Sequence, residues 1–209
     1  MKIKTYYPDW WEKAITSISN NDIIMKKLIN KYPDNKLSSA KNPFYSLSKS
    51  IVSQQISVAA ASAIWTRLEN HFNMVEGCCF KKNDTATLRK IGLSERKALY
   101  LINLSNNLEK FNDFSYWEKL SDEKIFSTLI EFKGIGPWSI KMFLIFCLNR
   151  PDIFSAEDLG LTKAVEKNYF KGKSVDKNKI ENFAIKWKPY RTLASWYLWR
   201  SIDPETVEY

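Results

Sequence analysis

One histidine, His71, and three cysteines, Cys78, Cys79 and Cys147, are the only soft metal ligands in this chain of 209 residues. They are too few for a structural zinc site of the usual kind or a four-cysteine iron–sulfur cluster. An odd cysteine count without regular spacing also argues against a disulfide framework and for a reducing compartment. No run of about 18 apolar residues occurs, so no segment is expected to span a membrane as a helix. The first residues are charged but lack an apolar h-region, and no signal peptide is expected. Glycine and proline are sparse, at six and seven residues. Strict apolar–polar alternation is scarce, which speaks against a sheet. No low-complexity linker divides the chain.

What is present suits a packed helical protein. Hydrophobic residues make up 44% and charged residues 26%, enough for a core and unlike a disordered chain. The length fits one large domain or two small lobes. Thirty-two Lys and Arg stand against 23 Asp and Glu, a formal net charge of +9. Such an excess favours a polyanionic partner, of which nucleic acid is the commonest.

The pattern predicts helices throughout. Asn42-Pro43 reads as an N-cap with proline at the first helical position, before the face of Phe44, Leu47 and Ile51. Ser57 is placed to cap a helix carrying Val58, Ala61, Trp65, Leu68 and Phe72. Gly92 and Ser94 open another, with Ala98, Leu101, Ile102 and Leu108 inward. Ser121 caps a helix read as running through Ile125, Leu129 and Phe132 to Gly134, with Asp122 and Glu123 favoured by the dipole at its start. Pro137 opens the next, with Ile140, Phe143, Leu144 and Cys147. A C-terminal pair is broken at Pro189. The helical spacing of Trp65, Trp187 and Trp196 marks them as core.

Lys133-Gly134-Ile135-Gly136-Pro137-Trp138 is the most informative short stretch. Two glycines two apart permit a tight turn between two apolar helices. The helix start that follows offers free N–H groups and partial positive charge, a device for holding phosphate. Lys133 and Lys141 add charge. A plain αα-corner with no ligand has the same local pattern. Asp158 lies 20 residues after Trp138, room for a helix of about ten residues and a return loop. It reads either as a carboxylate brought back toward the hairpin or as the cap of a helix over residues 159–170.

Five segments stand in order along the chain: Ser50-Ile51-Val52-Ser53-Gln54-Gln55-Ile56-Ser57; Ile91-Gly92-Leu93-Ser94-Glu95-Arg96-Lys97-Ala98; Lys133 to Trp138; Phe154-Ser155-Ala156-Glu157-Asp158-Leu159-Gly160-Leu161; and Trp187 to Arg200. Together they resemble the block series of 3-methyladenine DNA glycosylases, in the helix-hairpin-helix, Gly-Pro-Asp superfamily, over about residues 40–203. The resemblance implies an all-α, two-lobed helix-hairpin-helix fold with the active site in the cleft between lobes. It also implies a single domain over 1–209 without an N-terminal β-rich domain.

Residue by residue, the resemblance puts the catalytic carboxylate at Asp158 and the base pocket at Trp138 and Trp199, with Met142 where a related enzyme has tyrosine. It implies DNA binding by Lys133, Gly134, Ile135, Gly136 and Lys141 of the hairpin, and by Gln54, Gln55, Ser57, Ser94, Arg96 and Lys97 of two other turns. Gln55 or Ser94 would fill the gap left by a flipped base. In the competing reading, Gln54 and Gln55 cap or bridge two helices. Arg191 and Arg200 are further candidate phosphate contacts by charge. Members that also cut the backbone carry a lysine at the slot of Trp138, so no lyase activity is implied.

The expected activity is flipping and hydrolytic excision of alkylated purines such as 3-methyladenine and 7-methylguanine from double-stranded DNA. Alternatives are a glycosylase for uracil, hypoxanthine or mismatched bases, and a non-catalytic helix-hairpin-helix module. No metal and no cofactor is required, and a monovalent cation on hairpin carbonyls is optional. The expected enzyme is a monomer acting in bacterial cytoplasm or a eukaryotic nucleus.

Overall fold

A computed structural model describes residues 5–33, 36–72, 80, 85–107, 111 and 113–203. Cys78, Cys79 and Leu108 lie outside them. The chain is all-α, with no strand among the described residues beyond one antiparallel bridge between Tyr6 and Ser39. It divides into two compact units, one built mainly from Ala40–Leu148, the other from Tyr6–Ser39 with Asn149–Glu208.

In the first unit the helices are α3 (Pro43–Ser53), α4 (Val58–His71), α5 (Thr85–Ile91), α6 (Glu95–Asn106), α7 (Phe114–Glu118), α8 (Asp122–Leu129) and α9 (Pro137–Phe146). Side-chain oxygens set most of their starts. Asn42, Ser57, Ser94, Asp113 and Ser121 each accept a bond from a first-turn N–H, a cap typically worth about 1 kcal/mol. The run Ser139-Ile140 and Met142 to Phe146 of α9 is buried, as expected of a helix apolar on nearly every side. It packs on α3 and α8, and α3 packs in turn on α4 and α6. Trp117 stacks on Phe111 at 5.9 Å and meets Phe143 edge-on at 5.7 Å. Trp65 is buried, as its spacing predicts.

Helix α8 ends at Leu129, earlier than the apolar periodicity predicts. Phe132 N–H bonds to the Leu129 carbonyl at 3.1 Å and Ile135 N–H to the Phe132 carbonyl at 3.0 Å. These three-residue turns draw the chain round so that Gly134 takes a φ of +92°.

The second unit contains α1 (Trp11–Asn21), α2 (Ile23–Lys31), α10 (Leu159–Tyr169), α11 (Lys177–Ala184), a short 3₁₀ turn (Ile185–Trp187) and α12 (Arg191–Ile202). Helix α12 is its centre. Residues 192–200 are all buried, and α1, α2 and α10 pack on it. Trp187 and Trp196 are core residues, in line with their spacing.

Asp22 joins the start of α2 to the chain's later helices. Its Oδ1 accepts from the N–H of Ile24 and Met25 at 3.0 and 3.1 Å. Its Oδ2 accepts from Tyr169 Oη at 2.9 Å, Trp187 Nε1 at 3.0 Å and Lys186 Nζ at 2.9 Å. The Lys186 ammonium lies 4.1 and 4.0 Å from the ring centres of Tyr169 and Phe183, so its charge is held by aromatic faces as well as by the carboxylate.

Candidate active site

The hairpin between α8 and α9 is built so that only glycine fits at its apex. Gly134 has a left-handed φ, and a Cβ there would fall 2.3 Å from the Tyr100 ring of α6. The chain thus passes flat against an aromatic ring, an approach no side chain allows. Ile135 points inward and is buried, so only its backbone faces outward chemistry. Gly136 is the N-cap of α9, with no side-chain cap bond and open space where a Cβ would be. Pro137 follows at the first helical position. The helix start is left uncapped by side chains and sterically open, the condition for an anion to approach its N–H groups. Lys133 is exposed and Lys141 half-buried.

A hydrogen-bond relay ties this hairpin to the turn between α3 and α4. Gln54 Nε2 donates to the Gly134 carbonyl at 2.7 Å and to Ser139 Oγ at 2.9 Å. The Lys97 ammonium donates to the carbonyls of Val52 and Gln54, both at 2.7 Å. It thus satisfies carbonyls at the C-terminal end of α3, the place where a cation suits the helix dipole. Burial pushes the Lys97 pKa down. Lys97 reads from charge as a phosphate contact, but here its ammonium is engaged by the backbone. Gln54 bridges two elements, as the competing sequence reading has it. Gln55 stands exposed at the turn with a φ of +57°, and Ile56 beside it is partly exposed. The hydroxyls of Ser57 and Ser94 cap α4 and α6. Arg96 is exposed at the start of α6.

In the second unit the loop before α10 is fixed from α12. Thr192 Oγ1 donates to the Arg150 carbonyl at 2.6 Å and accepts from Ile153 N–H at 3.0 Å. The Arg191 guanidinium grips Asp152 with Nε to Oδ1 at 2.7 Å and Nη2 to Oδ2 at 3.1 Å. A candidate phosphate contact by charge, Arg191 is held by a carboxylate in a bidentate pair. Arg200, another such candidate, is buried with its guanidinium 5.1 Å from the Tyr32 ring centre.

At the end of that loop Asp158 is the N-cap of α10. Its Oδ1 accepts from Leu161 N–H at 2.6 Å and from Trp199 Nε1 at 2.9 Å. Asp158 is 7% exposed and Trp199 3%. The carboxylate thus sits at the positive end of the α10 dipole, held by two N–H groups. Glu157 beside it is exposed and accepts from Ser155 Oγ at 2.9 Å. Of the residues read as a base pocket, Trp199 is brought to the carboxylate as a hydrogen-bond donor. Trp138 is half-buried in the first turn of α9, and Met142 is fully buried in the same helix. No group of three or more His, Cys, Asp or Glu among the described residues could hold a metal.

Sequence reasoning missed Tyr100, Ser139 and Asp22. Only Asp22 had a local signal, an acid immediately before the apolar start of α2.

A glycine hairpin into an open helix start, followed by a buried helix-capping carboxylate, is the arrangement of a helix-hairpin-helix DNA repair protein. The chain belongs to the HhH-GPD superfamily of base excision DNA repair proteins, whose family model matches residues 48–189. The DNA-3-methyladenine glycosylase of Saccharomyces cerevisiae is 34% identical over 202 residues, 78% of this chain and 68% of the relative. A Bacillus subtilis protein, YfjP, is 33% identical over 74% of this chain, which spans 57% of that relative's length. Among solved structures, the 3-methyladenine DNA glycosylase Mag1 of Schizosaccharomyces pombe, in complex with abasic DNA, superposes with a TM-score of 0.79. It is 28% identical, and the match covers 90% of this chain and 96% of Mag1.

Proposed function

We propose that this chain is a monofunctional DNA glycosylase that removes alkylated purines such as 3-methyladenine and 7-methylguanine from double-stranded DNA in base excision repair. The observation that carries the reading is Asp158, buried at the head of α10 and held by two N–H donors. The hairpin grips phosphate, and the damaged nucleotide is rotated out of the helix, which costs a few kcal/mol and less for a damaged base. The alkylated purine is cationic and leaves as a neutral base when the N-glycosidic bond breaks. Positive charge then develops on the sugar, where the Asp158 carboxylate stabilises it. Water attacks C1′, and its proton passes to Asp158 or to solvent. The bond is hydrolysed without a cofactor. The slot where backbone-cutting relatives of this superfamily carry lysine is Trp138 in this chain, so the abasic strand is left intact. A monovalent cation on the hairpin carbonyls is optional to this chemistry. The enzyme works where DNA is, in bacterial cytoplasm or a nucleus, and no helix among the described residues is long and apolar enough to cross a membrane.

The test is base release from methylated duplex DNA by wild type beside Asp158→Asn. Wild type is expected to free methylated purines, and the variant to bind the duplex without releasing them. Release by the variant at the wild-type rate overturns the role of Asp158. Absence of release by wild type overturns the substrate class, and uracil and hypoxanthine duplexes then separate another glycosylase from a bare binding module.

A further inference from the structure

Gly160 sits in the first turn of α10, two residues after Asp158, and its backbone gives no reason for a glycine. Its φ is not in the left-handed region, unlike Gly92, Gly134 and Gly172. Glycine there weakens the helix relative to alanine. The reason lies in what a Cβ would meet. Built onto this backbone, it falls 3.2 Å from Asp158 Oδ1, inside ordinary van der Waals contact. Its next neighbours, Trp199 Cδ1 at 3.6 Å and Ile202 Cδ1 at 3.7 Å, are at normal packing distances. The one atom crowded is therefore the carboxylate oxygen.

That oxygen has little room to yield. It is fixed by Leu161 N–H at 2.6 Å and Trp199 Nε1 at 2.9 Å. The Asp158 backbone is fixed too, by its N–H to the Ser155 carbonyl at 3.1 Å and its carbonyl from Thr162 N–H at 2.9 Å. A methyl group at residue 160 would make the carboxylate oxygen give way by a few tenths of an ångström, against the pull of the donors that fix it.

We propose that Gly160 is a positioning residue of the glycosylase reaction: the bare backbone beside Asp158 Oδ1 keeps the carboxylate on both its donors and so aims it at the sugar. The inference rests on the reading of Asp158 as the catalytic carboxylate. Helix stability is given up at this position for the geometry of one oxygen.

The experiment is Gly160→Ala, alone and combined with Trp199→Phe. Three quantities are measured for each: thermal midpoint, affinity for methylated duplex, and single-turnover release of 7-methylguanine. For the alanine variant, the midpoint is expected to stay within about 3 °C of wild type. Affinity is expected to stay within roughly twofold while release slows by roughly tenfold or more, since small misplacements of a reacting group are costly. In the Trp199→Phe background Oδ1 has lost one donor and can move aside, so adding the alanine should slow release by less than about twofold further. A loss of equal size in both backgrounds, or one that tracks a fallen midpoint, would mean mere helix damage and overturns the proposal. If wild type releases base and Gly160→Ala keeps pace with it, the inference alone falls. If wild type releases none, the proposed function fails first and takes the inference with it.

Discussion

The indole N–H of Trp199 donates to Oδ1 of Asp158 at 2.9 Å, across 41 residues of sequence, with both side chains buried. A tryptophan in a glycosylase pocket is most readily pictured as a stacking face for the base. Here its N–H is spent on the carboxylate. Trp199→Phe keeps an aromatic ring and removes the donor. We expect single-turnover excision to slow by roughly tenfold to a hundredfold, as misaimed catalytic groups do, with duplex affinity held. Rapid-quench assays at saturating enzyme measure it, and an unchanged rate would show that the bond is structural only.

Lys97 makes a different prediction from its neighbours in charge. A lysine on phosphate releases counterions, and its loss lowers the slope of log affinity against log salt by about 1. Because the Lys97 ammonium bonds to the carbonyls of Val52 and Gln54, Lys97→Met should weaken duplex binding while leaving the slope unchanged. Lys133→Ala, at the exposed hairpin lysine, should flatten the slope. Titrations by fluorescence anisotropy over a range of salt separate the two. A reduced slope for Lys97→Met would return that lysine to the phosphates.

Much of this was legible in the sequence, and the rest was hidden for physical reasons. The helix starts were readable because Asn42, Ser57, Ser94 and Ser121 stand directly before apolar periodicity and act locally. The turn was readable because two glycines two apart between apolar helices permit backbone dihedrals that other residues avoid, though the same pattern suits a plain αα-corner. The end of α8 was not, since Phe132 continues the apolar spacing past the last helical bond. Asp158 posed a choice between a helix cap and a reacting carboxylate. The cap is now seen, and it is compatible with the proposed chemistry because it holds the carboxylate in place. The Gln54–Gly134 bond joins residues 80 apart and the Lys97–Gln54 bond residues 43 apart, distances no local pattern encodes. The Arg191–Asp152 pair is hidden for the same reason: positive charge in a sequence does not reveal a carboxylate 39 residues away.

Gly134 combines two demands, a φ of +92° and contact with the Tyr100 ring. Gly134→Ala should therefore destabilise the protein by at least about 2 kcal/mol, from backbone strain and overpacking together. Chemical denaturation measures this. Tyr100→Ala in the same chain should relieve the overpacking but not the strain, so recovery should be partial. Full recovery would mean that the turn tolerates an L side chain and that glycine is there only to clear the ring.

Asp22 gives the fold a dependence on acid. Burial pushes its pKa up, but the bonds from Lys186, Trp187, the Met25 N–H and Tyr169 outweigh that and hold the carboxyl below the usual range. A carboxyl lowered in the folded state contributes stability that is complete above its unfolded pKa, about 3.9, and is lost as pH falls through the folded value. The shift of its partner Tyr169, raised well above the ordinary value first by burial and then by the Asp22 charge, bears on stability at alkaline pH and not on this acid limb. The Lys186 pair is partly in solvent and adds little by itself. The buried acceptor matters more, since Trp187 and Tyr169 both donate to it. Asp22→Asn leaves one neutral acceptor oxygen and sets an NH2 against donors at the other position, and should cost about 2 kcal/mol at neutral pH. That corresponds to a thermal midpoint lower by roughly 4–8 °C in a chain of this size. The gap between wild type and variant should close as the pH is brought below about 4. Thermal melts from pH 7 down to pH 3 follow both curves. A gap that stays constant on acidification would mean that Asp22 acts through its shape and hydrogen bonds alone, and that its charge contributes nothing.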